Sequence, residues 1–117
     1  MALTEGRHTG EFILSIGNGN ISFDNATLSS GENLAAGSVL ALVAEEYVQI
    51  VPGSSSSEQD AAGILLAAVD ASSAAKACVV VVRQAEVNGA ALVWPTITAP
   101  QKAAAIVQLA ALGVIVR

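Results

Sequence analysis

The stretch ACVVVVRQAEVNGAALVWPTITAPQKAAAIVQLAALGVIVR, Ala77 to Arg117, decides the fold. It holds most of the strongly packing side chains of the chain. Val79 to Val82 is a β-branched run, which disfavours helix and packs well on a pleated surface. The spacing predicts a strand there, broken at the polar pair Arg83-Gln84 and continued by Glu86 and Val87 to a turn at Asn88-Gly89. Ala91 to Trp94 then reads as a returning strand that Pro95 ends. Thr98-Ala99-Pro100-Gln101 is a capping box, in which the Thr98 hydroxyl takes the Gln101 amide and the Gln101 side chain reaches back to Thr98. Pro100 is tolerated in a first helical turn. Ala103, Ile106, Val107 and Ala110 give an i, i+3, i+4, i+7 stripe, which Leu109 and Leu112 widen, with Lys102 and Gln108 off it. Gly113 is placed to cap this helix, and Val114-Ile115-Val116 follows as a short strand.

Upstream, the elements are shorter. Residues 1 to 11, MALTEGRHTGE, show no periodicity, and they read as a mobile arm. A single compact domain is expected over residues 12–117. Ile16-Gly17-Asn18-Gly19-Asn20-Ile21 is a turn flanked by isoleucines, and Ile21, Phe23, Ala26 and Leu28 suggest short strands. Ser29 to Asn33 reads as a loop. Val39 to Val43 and Tyr47 to Val51 read as a hairpin closed by Glu45-Glu46. Pro52 to Asp60, with serines at 54–57, is expected to be the most flexible internal stretch. Gly63 to Val69 has the length of one buried strand, although its alanines leave a helical turn open, and a turn at Asp70 to Ser73 follows. The fold class expected is therefore mainly β with short helices, an α+β chain.

Composition narrows the function. The 117 residues are 53% hydrophobic, 3% aromatic and 13% charged. Globular chains average about 25% charged residues. The apolar content is thus mostly Ala and Val, on a surface poor in charge. A small domain cannot hide so much apolar area, so part of it is expected at a homo-oligomer interface. The net charge is −5, and the five cations Arg7, Lys76, Arg83, Lys102 and Arg117 lie far apart. Nucleic-acid binding needs clustered cations to neutralise phosphates, so that partner is not expected. The longest low-polarity run, Ala103 to Val116, is shorter than the about 20 residues of a membrane span. Met1 to Glu5 has no basic, apolar signal pattern. The expected location is the cytoplasm, or something assembled there.

No catalytic, cofactor or metal site emerges. One histidine, His8, and one cysteine, Cys78, are too few for a structural zinc site. Cys78 beside four valines reads as a small buried hydrophobe. Glu45 and Glu46 are adjacent and point apart, as a solvated turn. Gly17-Asn18-Gly19 lacks the third glycine and the following helix of a phosphate cradle. No G-x-S-x-G occurs. Arg83 and Glu86 read as a polar strand face, and Trp94 as a half-buried aromatic or a partner contact.

Three stretches, taken in order, resemble the head decoration proteins of lambda-like tailed phages. They are Leu3-Thr4-Glu5-Gly6-Arg7-His8-Thr9-Gly10-Glu11-Phe12-Ile13-Leu14-Ser15; Ala62-Gly63-Ile64-Leu65 with Ala68-Val69-Asp70-Ala71; and Val82 to Gly89, through Leu92-Val93-Trp94-Pro95, to the Gln101-Lys102-Ala103 helix and Leu112 to Arg117. The resemblance implies a non-enzymatic capsid protein with a β-clip-like fold. It implies homotrimers on the outer face of the expanded head at three-fold positions, clamping it against packaged DNA. The partners implied are the major capsid protein and other copies of the chain, with no cofactor, nucleic acid or membrane. Under this resemblance Thr4, Glu5, Arg7, His8, Thr9, Glu11 and Phe12 are the expected capsid contacts. Trp94, Pro95, Val114 and Val116 are the expected trimer contacts. The virion's outer surface is the expected location, with assembly in the host cytoplasm. Other readings of such a trimer are a display or adhesion module, or a small dUTPase-like hydrolase, whose acidic metal site and nucleotide loop are not visible here.

Overall fold

A computed structural model describes residues 9–19, 21–51 and 59–117. The segment expected to be flexible, Pro52 to Asp60, falls mostly outside these residues, as do positions 1–8 of the expected arm.

The four-valine run is the hub. Its first three valines lie in β8 (Lys76–Val81), which pairs antiparallel with β2 (Phe23–Leu28) on one side and β6 (Gly63–Leu65) on the other. β4 (Val39–Val43) joins β6 to β5 (Glu46–Gln49), and β5 meets β2 at Leu28 and Tyr47, closing a five-stranded barrel. Successive side chains of a strand point to opposite faces. Leu28, Leu40, Tyr47, Leu65, Cys78 and Val80 come from all five strands and pack together inside the barrel. The alternate residues Val39, Ile64 and Val81 face outward into a second cluster, with Phe12, Val87, Ala105, Leu109 and Val114. A strand buried on both faces needs an unbroken apolar run, and Val79 to Val82 supplies it.

The second layer is a three-stranded sheet in the order β1 (Ile13–Ile16), β9 (Ala85–Val87), β10 (Val114–Val116). β1 runs antiparallel to β9, with a register shift between Ile13 and Ser15, while β10 runs parallel to β9. Parallel neighbours need a crossover, and α1 (Ala99–Leu112) provides it. A two-stranded ladder of β3 (Glu32–Leu34) and β7 (Val69–Ala71) completes the fold.

The helix ends are as the sequence predicts. Thr98 Oγ1 accepts from Gln101 N at 3.3 Å, and Gln101 Oε1 accepts from Thr98 N at 3.0 Å. Gly113 takes the left-handed conformation, φ 96°, and its N–H returns to Ala110 O. The helix face differs from the prediction. Ala105 and Leu109 are the buried residues, whereas Ala103, Val107 and Ala110 face outward, with Val107 68% exposed. The chain offers two apolar stripes on one helix, and periodicity alone does not rank them.

Several strand expectations also change. The Arg83-Gln84 break is complete: Gln84 has φ 48°, and β9 belongs to a different sheet from β8. Asn88-Gly89 makes no hairpin. The Asn88 side chain accepts from Ala90 N at 3.0 Å and caps a 3-10 turn, Gly89–Ala91. The returning strand is reduced to a parallel bridge between Val93 and Ser38. That bridge needs Gly37, at φ +90°, because a Cβ there would lie 3.0 Å from Ala91 O. Gly63 to Val69 is two short strands, and Asp70 and Ala71 belong to β7 rather than to a turn. Glu32 and Asn33 likewise pair in β3. β1 and β2 flank the Ile16–Ile21 turn but join different sheets.

The expected 39–43 and 47–51 hairpin is present as β4 and β5, with the turn one residue earlier. Ala44 and Glu45 both have positive φ, 50° and 70°, and the register pairs Val43 with Glu46. Two central residues in the left-handed region match the twist of a tight hairpin, but a side chain there costs about 1–2 kcal/mol. Replacing Ala44-Glu45 by Asn-Gly is expected to raise the unfolding free energy by about 1 kcal/mol, read as a higher urea midpoint at unchanged slope. In contrast, Leu109→Ala removes a fully buried side chain and is expected to cost roughly 2–5 kcal/mol in the same titration.

Candidate functional site

Among the described residues no three His, Cys, Asp or Glu side chains gather as a metal site. The Cys78 thiol is buried inside the barrel, and burial pushes its pKa up. A raised thiol holds little thiolate and is a poor nucleophile. Burial, and next the Asp24 carboxylate, also push the Tyr47 phenol up. A cleft of about 360 Å³ opens on the barrel's outer wall, lined by Phe23, Asn25, Leu66 and Val79. Its walls bear one amide and no acid, base or nucleophile, so it is not built for acid–base or covalent chemistry. No helix among the described residues is long and apolar enough to cross a membrane.

What the surface does carry is exposed apolar side chains. Leu14 is 56% exposed, and Ile16, Ile21, Leu112 and Ile115 are also open. Ile21 lies over Gly17, where a Cβ would come within 2.4 Å of its Cγ2, so it adjoins the end of β1. Hydrogen bonds tie this corner together. Buried Ser22 accepts from Gly17 N and donates to Gln84 O, both at 2.9 Å. Arg83 donates to Ile21 O at 2.7 Å and to Asp24 at 2.9 Å. Arg83 and Glu86 therefore have separate partners.

Glu86 sits on the open face of the three-stranded sheet. It accepts from Ser15 Oγ and from Arg117 Nε, each at 2.8 Å. The Arg117 guanidinium first, and the Ser15 hydroxyl second, hold the Glu86 carboxyl below the usual glutamate range. These contacts link both edge strands to the central one.

The sequence-predicted contacts divide. Thr4, Glu5, Arg7 and His8 lie outside the described residues. Thr9 and Glu11 are exposed. Phe12 is not a surface residue. It is wholly buried between barrel and sheet, and just before it Gly10 N donates to Leu66 O at 3.0 Å. Trp94 and Pro95 are half-buried. Lys102 Nζ stands 5.3 Å from the centre of the Trp94 ring, within cation–π range. The indole N–H is buried without a partner among the described residues. Val116 is half-buried, but Val114 is wholly buried in the chain's own core, against the side that Leu109 also fills. The sequence reading took the Ala103, Val107 and Ala110 stripe of α1 as its core face, and it missed the Leu14–Ile16–Ile21 corner. The one available signal was that neither is interrupted by charge.

A site of this kind defines a subunit that works through contact surfaces. The comparison with known families agrees: the model of the bacteriophage lambda head decoration protein D family matches residues 2–114, and the chain belongs to that family. It is a family of structural phage proteins rather than of enzymes, and its members act at the capsid of the virion. No curated protein matches the chain.

A depressed carboxylate contributes stability above its unfolded pKa, and this is lost as pH falls through the lower folded value. The wild type is therefore expected to lose stability on the acid side of the ordinary glutamate range. Glu86→Gln should flatten that part of a melting-temperature-against-pH profile by lowering the neutral-pH melting temperature slightly while leaving the acid end unchanged. Glu86 and Arg117 are well exposed, so the effect is small.

Proposed function

We propose that this chain stabilises a phage head as a homotrimer on the outer face of the expanded shell. It docks at three-fold positions and clamps the shell against the pressure of packaged DNA. The observation that carries this reading is the family match over residues 2–114. We read the barrel-plus-sheet arrangement as the family's β-clip-like fold. The major capsid protein is the docking partner, and assembly takes place in the host cytoplasm.

The contacts are assigned with two changes from the sequence expectation. Thr4, Glu5, Arg7, His8, Thr9 and Glu11 reach the capsid protein, while Phe12 anchors them to the body from within the core. An N-terminal segment that docks by its backbone and side chains can recognise a surface that exists only after the shell expands. Trp94, Pro95 and Val116 contribute to the trimer. Val114 does not, because its own core leaves it no surface.

The test is removal of residues 1–8, which spares Gly10 and Phe12. The truncated protein is expected to keep its melting temperature and its mass in solution, and to lose co-sedimentation with expanded, undecorated heads. Undiminished co-sedimentation would overturn the assignment of the N-terminal contacts.

A further inference from the structure

The dipeptide Asn-Gly occurs twice, at Asn18-Gly19 and at Asn88-Gly89. Asparagine is a thermolabile residue, and this pairing is its most reactive setting. Glycine has no Cβ to shield its backbone nitrogen, and its free backbone lets that nitrogen approach the side-chain amide before it. The fold decides whether the approach happens, through what holds the nitrogen. Asn88-Gly89 is held firmly. Gly89 N donates to Arg117 O at 3.0 Å, Asn88 N donates to Phe12 O at 2.7 Å, and Asn88 Oδ1 accepts from Ala90 N at 3.0 Å. A Cβ on Gly89 would stand 2.9 Å from Val116 Cγ1, so this peptide also packs on β10. Asn18-Gly19 is the opposite case. Both residues are exposed in the turn between β1 and β2. Among the described residues, neither the Gly19 N–H nor the Asn18 side chain has a hydrogen-bond partner. Beyond its chain neighbours, no heavy atom lies within 4 Å of the place a Gly19 Cβ would take. The backbone bond across this turn, Ile21 N to Asn18 O, is long at 3.4 Å. The ends of the turn are pinned, because Ser22 Oγ bonds both Gly17 N and Gln84 O.

We infer that Asn18 is a self-modifying site that ages to aspartate and isoaspartate, while the fold protects Asn88. In water the Gly19 N–H gives its proton to hydroxide, and the nitrogen attacks Asn18 Cγ. A bond forms between Gly19 N and Asn18 Cγ, the Cγ–Nδ2 bond breaks, and Nδ2 takes a proton from water and leaves as ammonia. Water then opens the cyclic imide. Cleavage between the nitrogen and Cγ gives aspartate. Cleavage between the nitrogen and the Asn18 backbone carbonyl carbon gives isoaspartate, with the chain running through Cγ. Nothing is oxidised or reduced, and the balance is one water in and one ammonia out. Each product adds one negative charge to the chain's −5. The new carboxylate stands between Ile16 and Ile21, on the exposed apolar corner. Isoaspartate also lengthens the main chain by one methylene within the turn. The Ser22 bonds at the ends of the turn confine that change to it. The chemistry is independent of what the protein binds.

The experiment incubates the 117-residue chain, folded, in mildly alkaline buffer below its melting temperature, and in parallel in urea above its unfolding midpoint. Samples taken over time are digested under mildly acidic conditions, which stop the reaction. Converted positions are read from fragment mass spectra, and isoaspartate is counted by enzymatic carboxyl methylation. In the folded protein Asn18 is expected to convert roughly tenfold or more faster than Asn88, where two hydrogen bonds must open first. The rate at Asn18 should rise with pH, as removal of the Gly19 proton requires. In urea Asn88 should accelerate until the two sites convert at similar rates. Asn18→Gln should remove the acidic form that isoelectric focusing resolves, because the longer glutamine side chain closes its ring far more slowly, and Asn88→Gln should leave that form in place. An Asn18 that stays unconverted in the folded protein, or that converts no faster than Asn88, would overturn the inference. So would a preference for Asn18 that persists unchanged in urea, because the difference would then lie in the local sequence and not in the fold.

Discussion

The structure depends on one strand being buried from both sides. β8 shares its side chains between two cores, Cys78 and Val80 to the barrel interior and Val81 to the layer of sheet and helix. Neither layer has many large side chains of its own. The barrel interior is closed mainly by Leu, Val, Ala and a single tyrosine, and the outer cluster by Val, Ile, Leu and Ala around Phe12. Packing two thin layers on one shared strand lets a chain with 3% aromatic residues bury enough apolar surface to fold. A polar residue at 80, 81 or 82 would face one core or the other.

The same economy explains the surface. Side chains that pack the two cores leave few apolar residues for the outside, yet α1 and the β1 corner still show them. The helix is fixed at both ends by local chemistry, the Thr98–Gln101 box and the Gly113 cap. Its rotation about its own axis is fixed by Ala105 and Leu109, which fit against Val114 and Ala85 in the outer cluster. Alanine allows close approach there. The bulkier Val107 is left on the far side.

How far the sequence was legible follows from the range of each interaction. Capping, the left-handed glycine at 113 and the valine strand are decided within a few residues, and they were readable. The strand partners were not. Asn88-Gly89 has the composition of a hairpin turn, but the Asn88 side chain satisfies Ala90 N locally and Gly89 N reaches Arg117 O, a contact 28 positions along the numbering from 89 to 117. The chain from Ala91 to Trp94 then bridges to Ser38, which no local pattern announces. Phe12 shows the same difficulty in the proposed site. It follows a polar stretch and reads as part of it, and only the outer cluster reveals that it is core. Val114 and Val107 were both apolar positions near the C-terminus, and their burial is opposite because one follows the helix cap into the sheet and the other sits on the free arc of the helix.

The position of Phe12 has a mechanical consequence. Any pull that enters through the N-terminal residues meets the Gly10–Leu66 backbone bond and then an aromatic ring seated between the two layers. The load is delivered to the middle of the molecule, not to the outer hydrogen bonds of an edge strand. To tear the segment free, a force must open the joint between barrel and sheet. The resistance of the segment from Gly10 to Phe12 to such a pull is thus set by the cohesion of the whole fold.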